Sequence, residues 1–104
     1  MRRFAALRRR SDFARLRRHG QRSETPYVTM FLGHAHPLNR PLVGISVSGR
    51  VGNAVQRNRA KRRIAAALQD LPLNDPGMRL LVIARAAVLD ATYEALREDL
   101  RRVL

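Results

Sequence analysis

Hydrophobic and polar positions along the chain predict three strands and three helices. Strand patterns, either alternation with a two-residue period or one continuous apolar run, occupy 27–32, 42–47 and 79–84. Apolar residues that recur every three or four positions predict helices at about 11–19, at about 53–69 and after Asp90. Because the third strand reaches the sheet through a helical crossover, this order predicts an α+β fold, a compact sandwich with one mixed sheet.

Residues with known preferences for helix ends mark the predicted boundaries. We expect Ser11 or Asp12 to cap the first helix and Asp90 to cap the last one. Gly20 stands where a left-handed C-terminal cap is expected. The polar segment 21–26 fits either a loop or a weak strand.

The two sides of the predicted strands differ in the size of their residues. On the second strand, large residues alternate with the small Gly44 and Ser46, which predicts a sheet face left open to water or to a partner. Tyr27 and Phe31 share one side of the first strand, where they either stack on unpaired bases or pack under a helix. Phe13 is expected in the core, and it becomes a stacking residue only if the first helix borders the open face.

Charge is the most unusual property of the composition. The 104 residues carry 21 Lys and Arg against 8 Asp and Glu, a formal net charge of +13. Residues 1–22 hold nine Arg and one acid, and residues 40–69 hold seven basic residues and no acid. Residues 70–104 hold five Arg and six acids, which is typical of an ordinary surface. The first two thirds therefore create a positive field that suits a polyanion, most often nucleic acid.

The densest charge lies in 47–64, with six cations and no acid. Solvated helices usually mix signs, because opposite charges four residues apart stabilise them, and this helix does not. Twenty of the 21 basic residues are Arg, whose planar guanidinium grips phosphate with paired hydrogen bonds, although a GC-rich genome would produce the same bias. We predict RNA or DNA binding by this helix.

No self-contained active site or metal site stands out. His34 and His36 lie in a predicted loop, and two ligands do not complete a zinc site. Ser46 and Ser48 have no histidine partner in the sequence, and the glycine spacing of 44–50 lacks the Lys and Ser/Thr of a phosphate-binding loop. Because the chain has no Cys and no apolar run of membrane-spanning length, we expect a cytoplasmic protein without membrane association.

The basic segment resembles the hallmark of the bacterial ribonuclease P protein family, S-V-S-x-(K/R)-V-G-x-A-V-x-R-N-x-x-K-R. It reads SVSGRVGNAVQRNRAKR over residues 46–62. Shorter matches lie in order along the rest of the chain, at 11–13, 19–20, 26–27, 82–85 and 93–96. The resemblance covers almost all of 1–104, which is taken as a single RNA-binding domain.

This resemblance implies a fold, a function and partners. The implied fold is the family's α/β sandwich, with a left-handed crossover through the basic helix and one more strand at 21–24. The implied function is that of a ribonuclease P subunit, in which a catalytic RNA uses Mg²⁺ to remove the 5′ leader of precursor tRNA. The chain itself then holds no catalytic residue and no metal or other cofactor. Its implied partners are the catalytic RNA and precursor tRNA, without an obligate protein partner.

The resemblance also implies site residues by position. The residues expected to bind the catalytic RNA are Arg50, Arg57, Asn58, Arg59, Lys61 and Arg62, with Arg63 as a further charge. Those expected to line the leader cleft are Phe13, Tyr27 and Phe31, with Arg17 where many members have a second aromatic residue. Two positions where members often carry a basic residue are occupied by Gly49 and Ala65.

One alternative remains open at this point. A ribosomal or other structural RNA-binding protein would carry similar charge but would need no open cleft for an unpaired strand. A metal- or nucleotide-dependent enzyme that acts alone has no constellation of residues behind it.

Overall fold

The computed structural model describes residues 3–104, which form three helices packed on a five-stranded mixed sheet. The strands are β1 (Ala5–Ala6), β2 (Gln21–Glu24), β3 (Val28–His34), β4 (Leu42–Ser46) and β5 (Met78–Ala84). The helices are α1 (Arg10–His19), α2 (Ala54–Gln69) and α3 (Tyr93–Val103), and a short 3₁₀ helix spans Ala86–Leu89. The predicted α+β fold with one mixed sheet is confirmed.

The sheet has the order β1-β4-β5-β3-β2. β5 runs parallel to β4 and antiparallel to β3, so the connection from β4 to β5 is a crossover through α2, as predicted. The left hand of that crossover, which the resemblance implies, stays a prediction. β2 pairs with β3 over 21–24, which confirms the additional strand implied by the resemblance.

The predicted caps of the first and last helices are wrong. α1 begins earlier than expected because the carbonyl of Arg9 already accepts hydrogen bonds from the amides of Asp12 and Phe13, and no side chain caps it. α3 is capped by Thr92, whose hydroxyl accepts from the amide of Ala95 at 3.1 Å. Asp90 instead ends the 3₁₀ helix, which the sequence pattern did not predict.

Gly20 also departs from the expected left-handed cap. Its φ is −69° and its ψ is 154°, an extended conformation that leads directly from α1 into β2. An added Cβ at Gly20 would collide with the carbonyl oxygen of Leu16. The glycine is therefore required by its close approach to the last turn of α1.

The core has two parts, one on each side of the sheet. The larger part packs α2 and α3 against the apolar sides of β3, β4 and β5, with Ile64, Leu68 and Leu80 fully buried. The smaller part lies under α1 and contains Leu7, Leu16 and Leu81. Since the larger part supplies most of the buried apolar area, the α1 side of the sheet is the thinly covered side.

Strand register arranges the α1 side of the sheet in three rows, because directly paired residues point to the same side. One row joins Leu42, Arg79 and Gly33, and the next joins Gly44, Leu81, Phe31 and Arg22. The third row, called the outer row below, joins Ser46, Ile83, Thr29 and Glu24.

Candidate nucleic-acid interface

The turn before α2 holds the helix start in a fixed position. Val51 is buried, and its amide donates to the carbonyl of Ser48 at 3.1 Å. Gly52 has a φ of +155°, and a Cβ there would collide with the side chain of Gln56, so this position requires glycine. Asn53 and Gln56 form a reciprocal capping box, with both hydrogen bonds at 2.9 Å. The predicted start of the helix at Asn53 is thereby confirmed as its N-cap.

One side of α2 is buried and the other carries cations. The predicted apolar stripe is confirmed, since Ala60, Ile64, Ala67 and Leu68 are buried, as is Leu71 beyond the helix end. The α2 basic surface, as it is called from here on, comprises the exposed Arg50, Asn58, Arg59, Lys61 and Arg62 together with the half-buried Arg57. A helix that buries its apolar stripe against the sheet must present these polar groups outward.

The cations of the α2 basic surface have no acidic partner. Within residues 3–104, no carboxylate lies within 4 Å of Arg50, Arg57, Arg59, Lys61 or Arg62. The ion pairs of this described range lie elsewhere, between Arg22 and Glu24, Arg85 and Glu24, His34 and Asp75, Arg101 and Glu98, and Arg102 and Asp99. The charge of α2 is therefore available to an external polyanion.

Arg63 differs from its neighbours on α2. Its guanidinium donates to the carbonyls of Val88 at 3.0 Å, Leu89 at 3.1 Å and Ala91. These contacts tie α2 to the end of the 3₁₀ helix. The RNA contact predicted for Arg63 stays a prediction, but most of its donors already serve an internal role.

α1 lies across the sheet and leaves part of it uncovered. The ring of Phe13 sits directly over Gly44, where an added Cβ would lie only 2.7 Å from the ring. Leu16 covers Gly33 in the same way. The outer row is not covered by these contacts, and Ser46, Thr29 and Ile83 remain partly exposed. The space between α1 and the outer row is called the α1–sheet cleft below.

The structure brings together only some of the residues predicted for this cleft. Phe13 and Phe31 both pack in the small apolar cluster beneath α1 and are partly exposed. Arg17 follows Phe13 by one helical turn and is exposed at the same flank. Tyr27 precedes β3 and packs against the larger core, so the expectation that it shares a side with Phe31 is wrong.

Three charged residues at the far edge of the cleft were missed by the sequence analysis. Glu24, at the end of the outer row, accepts from Arg22 at 3.1 Å and forms an ion pair with Arg85 at 3.5 Å. Arg22 stands directly opposite Phe31 in the strand register. The signal that would have found them is the pairing of β2 with β3, which local periodicity did not reveal.

Residues 3–104 contain neither a cluster of metal-ligating side chains nor a helix that could span a membrane. They contain no group of three or more His, Cys, Asp or Glu side chains arranged to hold a metal ion. They also contain no helix with the length and apolar character needed to cross a membrane.

The chain is similar in sequence to known proteins. A relative from Chloroflexus aurantiacus, a ribonuclease P protein component, is 37% identical over 107 residues that cover 100% of this chain and 78% of that protein. A ribonuclease P protein component from Streptococcus thermophilus is 47% identical over 62 residues, and this match spans 60% of the chain and 56% of the relative.

Similarity extends to a solved structure and to a family model. A Staphylococcus aureus RNase P protein mutant, described as defective in mRNA degradation activity, matches with a TM-score of 0.83 and 28% identity, over 95% of this chain and 84% of that one. The family model for ribonuclease P matches residues 1–104. The basic segment and the mixed sheet thus have one common explanation: the chain belongs to the ribonuclease P protein family.

Proposed function

We propose that this chain is the protein subunit of ribonuclease P and that it binds the catalytic RNA through the α2 basic surface. In this proposal the α1–sheet cleft holds the single-stranded 5′ leader of precursor tRNA. The RNA performs the cleavage, and the chain contributes binding energy and charge without a catalytic residue of its own.

The observation that carries the proposal is the set of unpaired cations on α2. Arg59, Lys61 and Arg62 on α2, with Arg50 in the turn before it, have no acidic partners in residues 3–104 and repel one another unless a polyanion lies against them. Arginine binds phosphate with two parallel hydrogen bonds, so these side chains suit a folded RNA backbone. The capping box fixes the first turn of α2, which reduces the ordering needed on binding.

The α1–sheet cleft suits one unpaired strand. Phe13 and Phe31 supply partly exposed aromatic rings, and bases without a partner strand stack on such rings regardless of sequence. Arg17 and Arg22 flank the two rings and are positioned to contact phosphates. A duplex has its bases already stacked, so these rings favour a single strand such as a tRNA leader.

Mg²⁺ belongs to the proposed complex and not to this chain alone. Mg²⁺ prefers hard oxygen ligands and retains several waters, and RNA phosphates supply such oxygens. A bound protein with a net charge of +13 reduces repulsion among the phosphates. The complex is therefore expected to work at a lower Mg²⁺ concentration than the RNA alone.

Reconstitution tests this proposal. The purified chain is added to the ribonuclease P RNA of the same organism at low Mg²⁺, and cleavage of a precursor tRNA is measured. The proposal predicts cleavage at the mature 5′ end that requires both components at low Mg²⁺, with slow cleavage by the RNA alone at high Mg²⁺. RNA binding without any gain in cleavage would favour a structural RNA-binding protein instead.

A further inference from the structure

A small cavity lies on the flank of α1 opposite the α1–sheet cleft. Its volume is about 150 Å³, whereas about 10–15 Å³ is enough to hold one water molecule. It is bounded by α1, by the end of β3 and by the first strand row. Asp12, Arg15 and His19 line it from α1, Gly20 from the end of that helix, and Gly33, His34 and Arg79 from the sheet.

The floor of this cavity contains a buried cation without a carboxylate partner. Arg79 is only 9% exposed and stands beside Gly33 in the strand register. Its guanidinium donates to the carbonyls of His36 at 2.7 Å, Met78 at 3.0 Å and Pro76 at 3.2 Å. In the described part of the chain, no acid lies within 4 Å of this group. Buried charges are normally paired, because carbonyl dipoles replace only part of the lost hydration.

The wall formed by α1 adds a second cation. Arg15 and His19 are four residues apart and therefore share one flank of the helix. Arg15 has no ion pair among residues 3–104, and His34 on the opposite wall is held by Asp75 at 2.9 Å. Asp12 is the one acid among the lining residues. Asp75, which is paired with His34, does not line the cavity, so among the lining side chains two arginines face one carboxylate.

We propose that this cavity binds one phosphate group, held by Arg15 and His19 from α1 and by the positive charge of Arg79 from the floor. The guanidinium of Arg15 matches the oxygens of a tetrahedral anion, and the two glycines leave room beside the backbone. The phosphate is either a phosphodiester of an RNA strand that passes behind α1 or a free phosphate ion. The site lies away from the α2 basic surface and from the α1–sheet cleft, and it does not depend on the function proposed above.

Phosphate titration of the isolated chain, followed by NMR at constant ionic strength with chloride as reference, tests the site. The amides of Gly20 and Gly33 and the Nε–H of Arg79 report on the cavity. In the unmodified chain these three signals should shift along one saturating curve. Arg15→Gln combined with His19→Gln should weaken binding by about tenfold or more, because it removes a charge-assisted hydrogen bond.

Two further variants make the test specific. Arg18→Gln removes the same arginine charge from the same helix, but Arg18 does not line the cavity, so binding should be unchanged. Asp12→Asn should tighten binding severalfold, because it removes the one acid beside the anion. Arg79 is left intact, since it also holds three carbonyls. Equal affinities in the Arg15/His19 and Arg18 variants, or shifts that never saturate, would overturn the proposal.

A short RNA without terminal phosphates identifies the source of the phosphate. If it moves the same three signals in the unmodified chain but not in the Arg15/His19 variant, the ligand is a backbone phosphodiester. If only inorganic phosphate moves them, the ligand is the free ion. If neither moves them, the cavity is not a phosphate site.

Discussion

Removal of two cations from the α2 basic surface should weaken RNA binding and make its affinity less dependent on salt concentration. Arg59 and Arg62 are exposed and have no acidic partner in residues 3–104, so Arg59→Gln combined with Arg62→Gln should leave the fold intact. Each phosphate contact contributes about 0.9 to the slope of log K against log salt, so the slope should fall by about 1.8. At about 0.1 M salt this corresponds to a loss of roughly 60-fold in affinity.

The assay measures binding of the purified chain to the catalytic RNA over a range of salt concentrations. The matched control is Arg97→Gln combined with Arg101→Gln, which removes the same charge from α3. Arg101 is already paired with Glu98 at 2.6 Å, so this control should change affinity by less than about threefold. Equal slopes for the α2 variant and the unmodified chain, or equal losses in the α2 and α3 variants, would refute α2 as the docking surface.

Three further predictions follow from individual contacts. Phe13→Ala should reduce the affinity of the reconstituted complex for precursor tRNA but not for mature tRNA. Gly44→Ala should act in the same direction, because its Cβ would lie 2.7 Å from the Phe13 ring. Equal losses of affinity for both tRNAs would exclude a leader role. Arg63→Gln should lower the melting temperature, since three carbonyls lose a donor. The slope of log K against log salt for RNA binding should stay nearly unchanged, and a slope reduced by about one unit would show a phosphate contact. The Tyr93 hydroxyl donates to Asp70, and this hydrogen bond raises the pKa of Tyr93 above 10.0. The difference in unfolding free energy between the chain and Tyr93→Phe should therefore be constant below about pH 10 and shrink as pH rises through the folded-state pKa. A difference that stays constant across that range in denaturant titrations would contradict this linkage.

Elements specified by nearby residues were predictable from the sequence. The apolar stripe of α2 and the capping residues Asn53 and Gln56 lie within a few positions of each other, so local periodicity and spacing contain the whole signal. The same holds for β5, whose continuous apolar run reflects burial on both sides of the sheet. The family hallmark at 46–62 also contains every residue of the α2 basic surface, so the sequence alone marks which residues form it.

Features that depend on distant contacts were not predictable. β1 consists of two residues that become a strand only by pairing with β4, about 37 positions away in the sequence. The internal role of Arg63 depends on carbonyls 25 to 28 residues later, and that of Arg79 depends on a carbonyl 43 residues earlier. In the sequence, Arg63 looks like another cation of the basic segment, and Arg79 looks like one of the arginines in the mixed-charge stretch 70–104. The side on which Tyr27 packs also depends on where β3 begins, and element boundaries are the least certain part of pattern analysis.

Site-directed crosslinking tests most directly whether the α2 basic surface contacts the catalytic RNA and the α1–sheet cleft contacts the tRNA leader. The chain has no cysteine, so a single introduced cysteine gives one attachment point for a photoreactive group. We place it at Asn58 on α2, at Thr29 in the outer row, and at Glu94 on α3 as the control. In the reconstituted complex with precursor tRNA, the probe at 58 should crosslink to the catalytic RNA, the probe at 29 to the tRNA leader, and the probe at 94 to neither. Crosslinks from 94 as strong as those from 58, or no leader crosslink from 29, would contradict the account.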